Sequence, residues 1–475
     1  MAVVEWGQIL HGAEFGLLWL LGNPLLYMGI AMAAWELRRQ SRLEKRFFGI
    51  RVTRVWFPLA RREAVALGMG AGLSAALFAL GVVVPWWQVA VFTGLSFIAA
   101  ILGLRWLSPG YPVAVLVMVG GVAAAFPPAV GNSLIVTAFN HLRLVNAAAW
   151  SVLVGLNWLV EAVLLVFHRE QGAPALVRSR RGKAVGAVAV QLSFVTPVLV
   201  LQPGSGHWLS GLPHLWPWLG TAVGAGGNPG GLAWIGMPLL LGFSGLALSQ
   251  SAPRLVTRVA LDSGIAGVLA LAGGFAQAYF HGWYGGAGLL LAALARGLTL
   301  NWQWRQDLQP DPLLAGHPQG VRVLAVHRGS LAKQLGLQTG TVITHVNQFP
   351  VHSLYDLHFA LDQSPAYAKL QVIQPDGEPR LVGGSIFTGE RNQLGLVLLP
   401  DEVEIPSYAG RVGGLFATLQ MPIITAREND GKGRGNKLGE QTTLETGVDD
   451  GVPEIPARPA RGRHRQGQSH ETTPL

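Results

Sequence analysis

Long apolar runs separated by short polar stretches fill most of the chain up to residue 300. A membrane-spanning helix needs about 20 consecutive, mostly apolar residues. Nine runs approach or reach this length, near residues 15–35, 65–84, 88–105, 110–129, 147–167, 184–201, 232–249, 259–280 and 285–302. The pattern predicts a polytopic α-helical membrane domain over residues 1–305, with nine spans, or eight if one run is re-entrant or interfacial.

The pattern changes after residue 312, where short alternating segments replace the long runs. Alternation of apolar and polar residues predicts strands, here over residues 321–326, 342–346, 370–373, 380–382 and 394–399. Ser353 followed by Asp356 three residues later is typical of a helix start, and the helix should end near residue 362. These elements predict a small α+β domain over residues 312–400.

The last part of the chain, residues 401–475, is rich in Gly, Pro, Arg, Thr and Gln and mixes both charge signs. A segment of this composition buries too little apolar surface to fold alone. We therefore expect a low-complexity, mostly disordered tail.

Composition restricts the class of protein further. Only 13% of the 475 residues are charged, against about 25% in average soluble proteins, which argues against an ordinary cytosolic enzyme. The chain has no cysteine, so disulfides, iron–sulfur clusters and thiolate zinc sites are excluded. No metal site and no cofactor are predicted.

The net charge of +9 is unevenly distributed. Residues 1–311 carry 20 Lys and Arg against 10 Asp and Glu, whereas residues 312–400 carry 6 against 5 and residues 401–475 carry 9 against 11. The basic excess lies between the apolar runs, which is typical of membrane topology rather than of nucleic-acid binding. We expect the lipid bilayer, and no nucleic acid, as a partner.

The loops alternate in charge. Loops 36–64, 168–183 and 250–258 are basic, whereas loop 202–231 has no Lys or Arg. Because positive loops stay in the cytoplasm, the pattern predicts a multi-pass protein of the plasma membrane. Its N-terminus should be outside, and its C-terminal third should be cytoplasmic.

Two sets of residues suggest alternative chemistry. Gly242-Phe243-Ser244-Gly245 matches the short serine motif of rhomboid proteases, and His281 follows, so an intramembrane serine protease using Ser244 and His281 is one alternative. Glu161, Asp262 and Arg296 interrupt apolar runs; they could pair with one another, or Glu161 and Arg296 could line a transport path. The His-Glu-x-x-His pattern of zinc proteases does not occur, and our main prediction is a protein with no catalytic residues and no enzyme activity.

The segment Val321–Val351, with Gly329-Ser330-Leu331-Ala332 and Thr339-Gly340, is similar to a PDZ domain. The loop that binds C-terminal carboxylates in PDZ domains corresponds to Gln393-Leu394-Gly395-Leu396, and its late position resembles bacterial PDZ domains with permuted strands. The resemblance implies a groove in which a peptide adds as a strand. The implied groove residues are Gln393, Leu394, Gly395, Leu396, Val397 and Leu398, with Leu354, Leu357, His358 and Leu361 on the helix. The groove could also take the chain's own end, Thr473–Leu475.

The layout as a whole resembles the MinJ family of Gram-positive division-site determinants. The likeness rests on Asn23-Pro24-Leu25-Leu26-Tyr27, the basic stretch Arg38–Arg54, Phe387–Glu390 and Gln393–Leu396. It implies a non-catalytic membrane scaffold that connects DivIVA-like and MinD-like cytoplasmic proteins at septa and cell poles during division-site placement.

Overall fold

The computed structural model describes residues 6–48, 56–102, 106–131, 133–178, 184–204, 232–280, 282–307, 312–327, 329–364, 366–386 and 394–399. All of them belong to one unit, Met1–Met421. The expected disordered tail, residues 401–475, lies outside the described residues.

A helical region precedes a sheet region. Its helices are α1 (Trp6–Gly22), α2 (Pro24–Phe48), α3 (Trp56–Ala79), α4 (Trp86–Leu102), α5 (Gly110–Ala125), α6 (Leu134–Leu142), α7 (Ala147–Phe167), α8 (Ala252–Phe280) and α9 (Tyr284–Asp307). The predicted run 15–35 is divided between α1 and α2, which are bent by 56°. Asn23 causes the break, because its Oδ1 accepts the N–H of Leu25 at 3.0 Å and caps α2.

Among the described residues, α7 and α8 are long and apolar enough to cross a membrane, and the bent pair α1–α2 is a third such segment if counted as one. Helices α4 and α5 are apolar but shorter. The chain therefore contains a membrane part, although the predicted number of eight or nine helical spans is larger than these lengths support.

Two of the nine predicted helices are strands. Runs 184–201 and 232–249 form β2 (Ala184–Pro203) and β3 (Leu232–Ala247), and with β1 (Ala173–Arg178) they make an antiparallel sheet in the order β1-β2-β3. The helix prediction was wrong here because Pro197 and Pro238 would each break a helix. In the sheet the two prolines lie opposite each other.

The edge of β2 beyond β1 is satisfied by other backbone and side-chain groups. Ser74 Oγ of α3 accepts the N–H of Leu199 at 2.9 Å, and the carbonyl of Leu201 accepts the N–H of Val84 at 2.7 Å. Pro197, two residues before Leu199, has no N–H to satisfy. Bare strand edges are not tolerated in lipid, so these bonds explain how a hairpin fits inside a helical region.

Charged side chains form hydrogen bonds with β2 in the part of the strand that is closer to the basic loops. Glu63 accepts the N–H of Val195 at 3.1 Å, and Arg62, which is buried, reaches the carbonyl of Ser193 at 3.5 Å. Glu36 of α2 accepts the hydroxyl of Ser193 at 2.7 Å. These charges therefore hold the hairpin against α2 and α3.

The sheet region is an α+β unit, as predicted. It contains β4 (Val321–Val326), α10 (Leu331–Gln334), β5 (Val342–Val346), β6 (Phe349–Pro350), α11 (Leu354–Asp362), β7 (Tyr367–Ile373), β8 (Pro379–Ser385) and β9 (Leu396–Leu398). The strand order is β8-β7-β5-β4-β9, with β6 paired to β5. Apolar residues of the sheet, α10 and α11 form its core, which includes Val323, Ile343, Leu357, Leu361 and Leu370.

The sheet region packs against the cytoplasm-facing end predicted for the helical region. The N–H of Gly186 in β2 donates to the carbonyl of Leu314 at 3.0 Å, and the N–H of Leu313 donates to Leu248 at 2.8 Å. Leu176 of β1 shares a buried cluster with Leu324 of β4. Strands β1 and β2 thus contact the sheet region directly.

Candidate functional site

Strand β9 forms one end of the six-stranded sheet. It pairs with β4 on one side, and within the described residues no strand pairs with its other side. The N–H of His327 donates to the carbonyl of Gly395 and the N–H of Leu399 donates to the carbonyl of Arg322, so this carbonyl of Gly395 and this N–H of Leu399 are used in pairing with β4. By strand alternation the backbone groups of Leu396 and Leu398 point away from β4 and are available to an added strand.

The turn before β9 positions two N–H groups. The carbonyl of Leu394 accepts the N–H of Ala332 at 3.1 Å, and that of Gly395 accepts the N–H of His327 at 2.8 Å. In a trans peptide the N–H of the following residue points the opposite way. The N–H of Gly395 therefore points away from α10 and the N–H of Leu396 points away from His327, so both are free to donate to a carboxylate.

This turn requires glycine at position 395. Gly395 has φ +72°, a conformation that costs other L-residues about 1–2 kcal/mol. A Cβ built there would lie 2.2 Å from Cβ of Ser330, the residue that caps α10. The close contact fixes the turn against α10.

Helix α11 begins with the predicted capping box. Ser353 Oγ accepts the N–H of Asp356 at 3.1 Å, and the Asp356 carboxylate accepts the N–H of Ser353 at 2.9 Å. Hydrogen bonds from the backbone N–H of His352 and from Ser353 hold the pKa of the Asp356 carboxyl below its ordinary value. The start of the helix is therefore locked beside the sheet.

The structure brings most of the predicted groove residues together. Leu357, Leu361, Leu394 and Leu398 are buried in one core, and Leu396 is half-buried against it. Leu354 and His358 lie on the exposed side of α11. Gln393 lies outside the described residues.

Val397 faces the other way. Its side chain packs with Leu176, Leu314 and Leu399 in the cluster between the sheet and β1. Side chains alternate along a strand, so Val397 cannot line the same groove as Leu396 and Leu398. Val397 is therefore not a groove residue, and its side chain anchors β9 from the opposite face of the sheet.

Glu161 of α7 and Arg296 of α9 form a buried ion pair. Arg296 Nη2 also donates to Ser263 Oγ at 3.1 Å, and Ser108 donates to Glu161 Oε2 at 3.1 Å. Arg296 lies over the Trp158 ring, 5.6 Å from its centroid. The pair therefore connects α7, α8 and α9, and both charges have partners without a transport path.

Asp262 has a different partner, since its Oδ2 accepts a hydrogen bond from Gln303 at 2.6 Å. Ser244 lies on β3, opposite Gln191 of β2, whereas the rhomboid motif needs its serine within a helical bundle. The protease alternative was wrong in this respect, and His281 lies outside the described residues. The polar edge of β2 was missed by sequence reasoning, although Arg61-Arg62-Glu63 directly before an apolar run was a usable signal.

Comparison with known proteins finds similar sequences that share one description. The chain is 28% identical to the cell division topological determinant MinJ of Bacillus subtilis (strain 168) over 415 residues, which is 86% of this chain and 99% of that protein. It is 29% identical over 282 residues to probable MinJ determinants of Lacticaseibacillus paracasei and Lacticaseibacillus casei (strain BD-II), covering 54% of this chain and 67% of each relative. No family model and no solved structure matches it.

Proposed function

Because the chain is MinJ-like, we propose that it is a non-catalytic scaffold of the plasma membrane that acts in division-site placement. The observation that carries this proposal is the similarity to a division determinant over 86% of the chain. An aligned length of 415 residues requires contributions from both the helical and the sheet regions. Function then depends on recruiting other proteins rather than on chemistry.

The recruiting surface we propose is the groove between β9 and α11, in a PDZ-like domain over residues 312–400. A peptide would add to β9 through Leu396 and Leu398, with its terminal carboxylate at the N–H groups of Gly395 and Leu396. The floor of the groove would be apolar, which suits a peptide whose last residue has an apolar side chain. The family resemblance favours DivIVA-like and MinD-like cytoplasmic partners, and the chain's own Thr473–Leu475, outside the described residues, is a competing ligand.

Contacts between loops support an N-terminus outside and a C-terminal third in the cytoplasm. Gln88, in the first turn of α4, donates to the carbonyl of Leu144 at 3.2 Å, which joins the start of α4 to a loop predicted to be outside. Arg62 donates to Gln171 at 3.1 Å, which joins two loops predicted to be inside. Segments that are predicted to lie on the same side of the membrane are thus at the same end of the molecule.

Cysteine labelling tests this orientation, since the chain has no cysteine of its own. We expect Thr221→Cys, in the loop without basic residues, to react with a membrane-impermeant maleimide in intact cells. Ser385→Cys, exposed in the sheet region, should react only after the membrane is permeabilised. Labelling of Ser385→Cys in intact cells would contradict cytoplasmic recruitment.

Fluorescence microscopy tests the cellular role. A functional fusion should be enriched at septa and poles of a rod-shaped host, and deletion of the gene should give misplaced septa, minicells or filaments. Expression of the intact chain from a second locus should restore normal septa. A uniform membrane signal through the cell cycle, together with normal division in the deletion strain, would reject the proposed function.

A further inference from the structure

Helix α6 and the loop before it expose apolar side chains that no other described part of the chain covers. Val130 is 99% exposed, Leu134 is 88% exposed and Ile135 is 81% exposed. Helical spacing places Leu134 and Ile135 on one apolar face with Ala138, while Thr137 lies on the neighbouring polar strip. The exposed side of α6 thus carries Leu134, Ile135 and Ala138, flanked by Thr137 and His141, whereas Val136, Phe139 and Leu142 are half-buried.

This segment is a folded element. Asn140 Nδ2 donates to the carbonyl of Ala129 at 2.9 Å, and Asn140 Oδ1 accepts the N–H of Ala129 at 3.0 Å. Ser133 caps the helix by accepting the N–H of Val136. These bonds satisfy the backbone groups of Ala129 and the N–H of Val136 within the element, which lowers the cost of placing it in an apolar medium.

The position of α6 indicates what that medium is. The His141 ring lies 5.4 Å from the ring of Trp87 at the start of α4. Trp86 and Tyr284, the first residues of α4 and α9, and Trp283, directly before α9, are exposed and lie on the same side in our proposed topology. Exposed Trp and Tyr at one level are typical of the membrane–water interface.

We propose that α6 lies in the plane of the membrane interface, with Val130, Leu134 and Ile135 inserted among lipid chains, and that lipid is its partner. Arg143 is the only charged residue between 126 and 146, so apolar burial rather than headgroup charge supplies the binding. A neutral bilayer is therefore sufficient. Under the orientation proposed above, the leaflet is the outer one.

The test uses single cysteines in the full-length chain, which has none of its own. Ile135→Cys and, as a matched control two residues further along the helix, Thr137→Cys carry an environment-sensitive fluorophore. The protein is reconstituted in vesicles of phosphatidylcholine alone and of phosphatidylcholine with phosphatidylglycerol. Quenching is measured with spin-labelled lipid chains and with aqueous iodide.

We expect the label at residue 135 to be quenched several-fold more by the lipid chains than by iodide, and the label at residue 137 to show the reverse. Both lipid compositions should give the same result. Equal iodide quenching at the two positions would overturn the proposal. Lipid-independent quenching at residue 135 that grows with protein density would also overturn it, in favour of contact with a second copy.

The depth measurement does not depend on which side of the membrane α6 occupies. Failure of the proposed orientation, detected at Thr221→Cys, is therefore distinguishable from failure of lipid insertion.

Discussion

Replacing Glu161 with glutamine should lower the free energy of unfolding by about 3–5 kcal/mol, since removal of one partner leaves the other charge buried and unpaired. The stranded group is Arg296, which is buried together with Glu161 among the helices. Ser263 and Ser108 can still bond neutral groups there, but neither carries a compensating charge. Unfolding should be followed in detergent micelles by chemical denaturation.

The double variant provides the sharper result. Glu161→Leu with Arg296→Met removes both charges at similar volume, and it should recover most of the stability lost in either single variant. Glu170→Gln is the matched control, because Glu170 is exposed and should change stability by less than about 0.5 kcal/mol. Additive losses in the double variant would mean that the two charges act separately, which would revive a transport path as their reason.

The helical elements show what apolar patterning can predict. Run 147–167 coincides with α7, because Asn146 caps its start and no proline interrupts it. Run 184–201 has similar length and apolarity but forms a strand, because β2 is buried on both faces and its sequence therefore lacks the alternation of a half-exposed strand. The signal that separates the two cases is Pro197, inside the second run.

The secondary structure around the candidate site was predicted better than the hairpin β2–β3, because its signals are local. The capping pair Ser353 and Asp356 defined the start of α11, and the glycine at 395 marked the turn into β9. Side-chain alternation separates Val397 from Leu396 and Leu398, but the contact of Val397 with Leu176 joins β9 to β1, which is distant in sequence. Local signals cannot predict such a contact.

Replacing Gly395 with alanine should abolish septal enrichment of a fluorescent fusion if the groove recruits the partners. The added Cβ would meet Ser330 at 2.2 Å, so the turn must move and its N–H groups lose their direction. Gly377→Ala is the matched control, because Gly377 also has positive φ, at +89°, but nothing lies within 4 Å of its added Cβ. Both variants bear a conformational cost of about 1–2 kcal/mol, and only Gly395→Ala displaces the carboxylate site.

A second substitution should restore recruitment. Ser330→Gly removes the Cβ that the alanine at position 395 would strike, and glycine in place of a serine cap costs only a few tenths of a kcal/mol. The Gly395→Ala, Ser330→Gly variant should therefore regain septal enrichment, measured as the ratio of septal to lateral fluorescence at equal membrane content. If Gly395→Ala alone keeps the enrichment of Gly377→Ala, the edge of β9 is not the recruiting surface, and the division role must depend on another part of the chain.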